Sequence, residues 1–208
     1  MLNLLAIGSM AASLLVLPVE ATAAQLDPPP AEDVTVSVVT VNGSGCPAGT
    51  ASVKMNADKT AFTVTYSDYV AEDGGAALAT EFRKNCQINV LVNIPQGFTY
   101  AIAQAEYRGY AKLSTGATAQ QNAYYYIAGT SPTATVSHVI NGPYSGKWSH
   151  SDVADAAALV YAPCGVQTNV NINTELRVRT TGTTLNWISM DKAHGEVDTV
   201  YHVSWKRC

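Results

Sequence analysis

One alternation constrains this chain more than any other feature. Ile88, Val90, Val92 and Ile94 occupy every second position, separated by Asn89, Leu91 and Asn93. Period two is the spacing of a β-strand with one apolar and one mostly polar face. Pro95-Gln96-Gly97 follows, a proline that presets φ and a glycine that tolerates a left-handed turn. Phe98, Tyr100 and Ile102 then alternate with Thr99, Ala101, Ala103 and Ala105. The pattern predicts one long β-hairpin over 82–113, with Ile94 opposite Phe98, Val92 opposite Tyr100 and Val90 opposite Ile102. A slip of one residue would turn the apolar set to the wrong face, so the burial pattern is strongly specified. The small residues of the second strand suit a covered or crowded surface.

The rest of the chain repeats the theme. Strands are expected at 34–41, 51–55, 61–66, 123–128, 135–140, 170–178, 184–190 and 197–205, with a helical turn or two allowed at 152–159. Glycine-rich or irregular loops are expected at 42–50, 69–79 and 141–155. In 170–178, Val170, Ile172, Thr174, Leu176 and Val178 alternate with Asn171, Asn173, Glu175 and Arg177, a half-buried antiparallel strand with one wet face. Many short strands with turn signals between them point to an all-β, antiparallel β-sandwich, jelly-roll-like, of about ten strands. With 47% hydrophobic and 13% charged residues, the chain has the means to bury a core.

The apolar run 2–17 ends at Pro18 and Ala21-Thr22-Ala23-Ala24, a small-residue cleavage pattern, although no basic residue precedes the run. The expected organisation is a signal peptide at 1–24, a Pro-rich spacer at 25–33 and one domain at 34–208. The expected location is secreted and extracellular, with no membrane insertion after the signal is removed. A formal net charge of −4 and the lack of a basic, aromatic-interleaved patch argue against nucleic acid as a partner.

Four cysteines, Cys46, Cys86, Cys164 and Cys208, fit an oxidising compartment. Two disulfides can be drawn in three ways, and the sequence does not choose among them. The preferred arrangement is one staple per half, Cys46 with Cys86 and Cys164 with Cys208. No CxxC or histidine spacing points to a metal, and no cofactor motif is present.

Six short motifs carry a family resemblance. They are Gly43-Ser44-Gly45-Cys46-Pro47, Arg83-Lys84-Asn85-Cys86-Gln87 and Pro95-Gln96-Gly97-Phe98, then Tyr107-Arg108-Gly109-Tyr110, Pro163-Cys164-Gly165 with Asn171-Ile172-Asn173, and Trp205-Lys206-Arg207-Cys208. In this order, over nearly all of the chain after the leader, they resemble the secreted family known as domain of unknown function 4360. The resemblance implies a secreted protein of about this length with these cysteines. It implies no reaction, so no catalytic residue is carried over. Tyr161 and His194 depart from the family pattern, which commonly has Trp and Asp there.

Candidate chemistry is sparse. Cys46 as a nucleophile would need a reduced thiol, which a secreted four-cysteine chain does not favour. A polysaccharide hydrolase would need two facing carboxylates, for which Glu106 and Glu175 are the named candidates. Glu106 and Arg108, two apart on one face, are expected to form a surface ion pair. Asp152 with Asp155, and Asp191 with Glu196 and Asp198, offer hard oxygen ligands but no metal-loop pattern. Three consecutive tyrosines, 124–126, cannot all face the core. Tyr125 is expected to point opposite its neighbours and, with Tyr144 and Trp148, to form an aromatic strip that stacks on sugar rings. The reading is a non-catalytic secreted protein that binds an extracellular polysaccharide or a protein partner, with Asn42-Gly43-Ser44 as a glycosylation acceptor in a eukaryotic host.

Overall fold

Twelve strands, numbered along the chain, pair into two antiparallel sheets in the computed structural model, which describes residues 27–130, 134–164, 166–190 and 198–208. The expected leader at 1–24, Gly165 and the 191–195 loop lie outside the described residues. One sheet has five strands in the order β1 (Thr35–Asn42), β5 (Arg83–Asn93), β10 (Thr168–Arg179), β7 (Thr118–Ile127) and β8 (Ala134–Asn141). The other has seven, in the order β2 (Ala51–Met55), β3 (Ala61–Tyr66), β12 (Asp198–Arg207), β6 (Phe98–Leu113), β11 (Asn186–Ser189) and β4 (Val70–Asp73). Strand β9 (Tyr144–Val153) lies on the opposite edge of β6 from β11 and β12. The sandwich expected from the alternating pattern is present.

The central hairpin is not a hairpin. β5 pairs with β1 and β10, whereas β6 pairs with β12, β9 and β11, so Pro95-Gln96-Gly97 turns the chain from one sheet into the other. The expected core face is nonetheless right. Ile88, Val90, Val92, Tyr100 and Ile102 are all buried; Ile94 and Phe98, on either side of the turn, are only half-buried. Their side chains meet across the interior instead of lying side by side on one sheet. Either arrangement buries the same alternate residues, so the pattern could not distinguish them.

A bulge in β6 changes which residues point inward. His202 pairs with Gln104 and Val203 with Ile102, leaving Ala103 as the extra residue. Before it the even positions Tyr100 and Ile102 are buried; after it the odd positions Ala105, Tyr107, Gly109, Ala111 and Leu113 are. The outward-facing Thr99 and Ala101 are covered, as their small size suggested. Ala162 donates its amide to the Tyr100 carbonyl at 2.8 Å, and Thr99 Oγ1 donates to the Ala162 carbonyl at 2.5 Å.

Two further expectations change. The segment 141–155 contains β9, and the irregular 69–79 contains β4; the helical turn allowed at 152–159 is a single 3-10 turn at Ala156–Ala158. β9 reads poorly as a strand because its inward set is Tyr144, Gly146, Trp148, His150 and Asp152. Its partner is the far half of β6, from Gln104 to Leu113, and that pairing supplies the order its own residues do not.

The interior is built on tyrosine. Tyr201 stacks on Phe62 at 5.2 Å between ring centroids and receives Tyr107 and Tyr125 edge-on at 6.3 and 5.9 Å. Such offset and edge-to-face pairs add to the burial of their large area. The disulfides follow the preferred arrangement. Cys46 bonds Cys86 and Cys164 bonds Cys208, with Cα atoms 5.3 and 5.8 Å apart. The first fixes the crossing from β1 to β2, the second the end of β12 to the segment entering β10. Each closes a loop whose constraint is worth roughly 4 kcal/mol in the chain-entropy model.

Candidate functional site

The outer face of the five-stranded sheet gathers the amide and hydroxyl side chains of five strands. Alternation places Asn89, Gln87, Asn85 and Arg83 of β5 outward, together with Asn171, Asn173, Glu175 and Arg177 of β10. Register then aligns them in rows. Asn171 pairs with Asn89 on one side and Tyr126 on the other; Asn173 likewise with Gln87 and Tyr124, and Glu175 with Asn85 and Asn122. On the far side Tyr124 pairs with Thr135 and Asn122 with Ser137 of β8. The wet face expected for β10 is the middle of this surface.

The amides hold one another in place. Asn89 Nδ2 donates to Asn171 Oδ1 at 2.8 Å, and Asn169 Nδ2 donates to Asn89 Oδ1 at 2.7 Å. Gln120 Nε2 donates to Asn122 Oδ1 at 3.0 Å and to Ser137 Oγ at 2.7 Å. An amide offers both donor and acceptor, so each retains capacity for a ligand hydroxyl after its neighbour is satisfied.

The face is not flat. A depression of about 360 Å³ lies among Gln87, Asn173, Tyr124, Asn122, Ser137 and Glu175. It shares Gln87 and Asn173 with a second depression toward Tyr126, Asn89 and Asn171. It shares Gln120 with a third toward Arg177, Arg179 and Val139. Together they form a trough along β10.

Glu175 sits in this trough and is heavily engaged. Arg83 and Arg177 both pair with its carboxylate, and Asn122 Nδ2 donates to Oε1 at 3.1 Å. Burial alone would raise its carboxyl, but hydrogen bonds from Arg177, Asn122 and Arg83, with the Arg177 charge, outweigh this and hold it below the ordinary glutamate value. A general acid for glycoside cleavage needs the opposite shift. The hydrolase candidates are also kept apart: Glu106 lies on the outer face of the other sheet, across the sandwich from Glu175. There it forms the expected pair with Arg108, at 2.6 Å, and meets His202 Nε2 at 3.1 Å. Asp152 is engaged by His138 Nε2 at 2.8 Å, and Asp191 and Glu196 lie outside the described residues.

The three aromatics expected to form a stacking strip are not brought together on a surface. Tyr125 is 4% exposed and points between the sheets, so the faces of β7 are the reverse of those that reading needs. Trp148 is 5% exposed, and Tyr144 is half-buried on β9, its hydroxyl donating to the Lys147 carbonyl at 2.5 Å. The outward rings are Tyr124, 38% exposed, and Tyr126, half-buried, both in the trough. The signal was in the flanks: Ala119, Ala123, Tyr125 and Ile127 make the odd positions of β7 the more apolar set, against Thr118, Gln120 and Asn122.

Comparison with known proteins places this sandwich. A secreted protein of Arthroderma benhamiae, of uncharacterized function, is 33% identical over 181 residues, covering 86% of this chain and 74% of its own length. Among solved structures, TmCBM61 in complex with beta-1,4-galactotriose overlaps 84% of this chain and 88% of its own, at 10% identity and a TM-score of 0.30. The enzymatically active domain of bacteriophage CBA120 tailspike protein 4 overlaps 81% of this chain and 19% of its own, at 12% identity and a TM-score of 0.27. Overlaps this loose carry no argument about ligand or reaction. The model of the DUF4360 family, a domain of unknown function, matches residues 32–208, and this secreted, disulfide-bonded chain belongs to that family.

Proposed function

We propose that the protein binds an extracellular polysaccharide along the outer face of the five-stranded sheet, without cleaving it. One observation carries this reading: two outward tyrosine rings lie in a trough otherwise lined by amides and hydroxyls. A sugar ring presents an apolar C–H face and a rim of hydroxyls that both donate and accept. Tyr124 and Tyr126 offer the platform for the first, and Asn89, Asn122, Asn171 and Asn173 the partners for the second. From Asn171 to Arg179, β10 spans about 27 Å at the antiparallel rise, long enough for a chain of several sugars. In this reading residues 1–24 are the secretion signal, and the secreted protein begins near Gln25.

Affinity electrophoresis in gels containing single polysaccharides tests the proposal. At least one polymer should retard the wild type, and Tyr124→Ala should remove the retardation while leaving thermal unfolding unchanged. A panel of plant, fungal and bacterial polysaccharides with no retardation at all would sink it. So would retardation that survives Tyr124→Ala, Tyr126→Ala and Asn173→Ala together.

A further inference from the structure

The trough changes character along its length. Toward Asn171 it is neutral and amide-lined; toward Arg179 it is cationic. Arg83 lies directly opposite Arg177 across the β5–β10 pair, and Arg179 follows two positions on, outward and opposite Thr118. Of the five arginines in the chain, Arg83, Arg108, Arg177, Arg179 and Arg207, three therefore stand together on one face of a protein whose formal net charge is −4. Like charges directly opposite each other destabilise a sheet. Glu175 offsets two of them. Asp73, at the margin, is spent on backbone, accepting from the Thr180 amide at 2.8 Å and the Gly74 amide at 3.0 Å. Arg179 has no carboxylate partner among the described residues.

Resting on the polysaccharide reading, we infer that this end of the trough receives carboxylate groups of an acidic polysaccharide, one bearing uronic acid residues, with Arg179 as the principal contact and the free donors of Arg177 and Arg83 beside it. The choice of arginine over lysine is informative. A guanidinium presents a planar fork of N–H donors that matches a carboxylate in two parallel bonds, and it is more weakly hydrated than an ammonium. The site already displays the match, since Arg83 and Arg177 grip the Glu175 carboxylate from two sides. Each keeps about half of its side chain exposed, at 47%, so donors remain available to a second carboxylate. Phe82 and Val139, both exposed beside these arginines, add an apolar wall on which the ring of the acidic sugar rests.

The test uses the full secreted protein and two forms of one polymer: polygalacturonate, and the same polymer with its carboxylates reduced to alcohols. Binding to polygalacturonate should be at least about ten-fold tighter, the worth of one charge-assisted hydrogen bond. It should weaken as ionic strength rises from about 0.05 to about 0.5 M. Arg179→Gln should lose about ten-fold on the acidic polymer and nothing on the reduced one. Because Arg179 is exposed, its unfolding temperature should not move. Equal binding of the two polymers, with Tyr124→Ala abolishing both, would overturn the acidic specificity and keep the polysaccharide reading. Binding of neither, nor of any neutral polymer, would overturn both. Equal, Arg179-dependent binding of polyglutamate would also overturn the inference, reducing the site to an undiscriminating cationic patch.

Discussion

Trp148 lies directly opposite Gly109 across the β6–β9 pair, its indole filling the space that a side chain at 109 would take. A Cβ on residue 109 would come within 2.3 Å of that indole and 2.0 Å of the Ser189 carbonyl oxygen. The glycine is what lets a tryptophan from an edge strand enter the core while β11 runs close alongside.

Gly109→Ala should therefore destabilise the protein, because the Ser189 backbone cannot retreat as a flexible side chain would. Overpacking of this kind costs about 1–3 kcal/mol, sometimes more. Chemical denaturation should give a lower midpoint with an unchanged slope. An unchanged midpoint would mean that β11 is free to shift.

Tyr124 and Tyr125 are neighbours with opposite fates. Tyr125→Ala should cost about 3–5 kcal/mol, as for other large aromatics removed from a packed core. Tyr124→Ala should stay within about 0.5 kcal/mol. Thermal unfolding of the two variants side by side checks the facing of β7, and the reverse ranking would refute it.

Alkali should ionise the buried tyrosines only as the protein unfolds. Tyr66, Tyr69, Tyr100, Tyr107, Tyr125 and Tyr201 are buried; Tyr110, Tyr124, Tyr126, Tyr144 and Tyr161 account for the rest of the 11. Burial pushes the Tyr66 hydroxyl up to about 12 and those of Tyr69 and Tyr201 well above the ordinary value of 10. A raised folded value favours the protonated form in the native state. The stability it contributes is full below 10 and is lost as pH rises through the folded values. Tyrosinate absorbance from the buried group should rise steeply and together with unfolding. A single smooth titration of all tyrosines in folded protein would contradict the buried cluster.

Acid should act at the edge where β8 meets β9. The rings of His138 and His150 stack at 4.2 Å and 6° across the two sheets, and His138 is bonded to Asp152. Burial and the neighbouring His138 lower the His150 value from its ordinary 6.5, although Asp152 acts to raise it. A depressed folded value means that the stability from neutral His150 is present above 6.5 and lost as pH falls through the lower folded value. His150→Phe keeps a ring in the stack without the charge, and it should flatten the decline in unfolding temperature below about pH 6.5. An identical decline in the variant would remove His150 from that role.

The sequence alone determined which residues are buried along most strands, because a strand's side chains alternate with a fixed period and an apolar face must leave water. It also supported the secreted sandwich, since the motifs around Cys46, Cys86, Cys164 and Cys208 run in a recognisable order. The choice among three cysteine pairings was made by the fold, which sets Cys46 beside Cys86 and Cys164 beside Cys208. Partnership was another matter. Val92 and Tyr100 are buried whether β5 and β6 lie side by side or face each other, and only long-range pairing of β5 with β10 and of β6 with β12 decided for the second. Ala103 shifted the inward face of β6 by one residue, which no local pattern announced. The polar residues of β9 found order through β6 rather than through their own propensity. The trough was illegible for the same reason: Arg83, Asn122, Tyr124 and Glu175 are distant in sequence, and hydrogen bonding between strands is what sets them side by side.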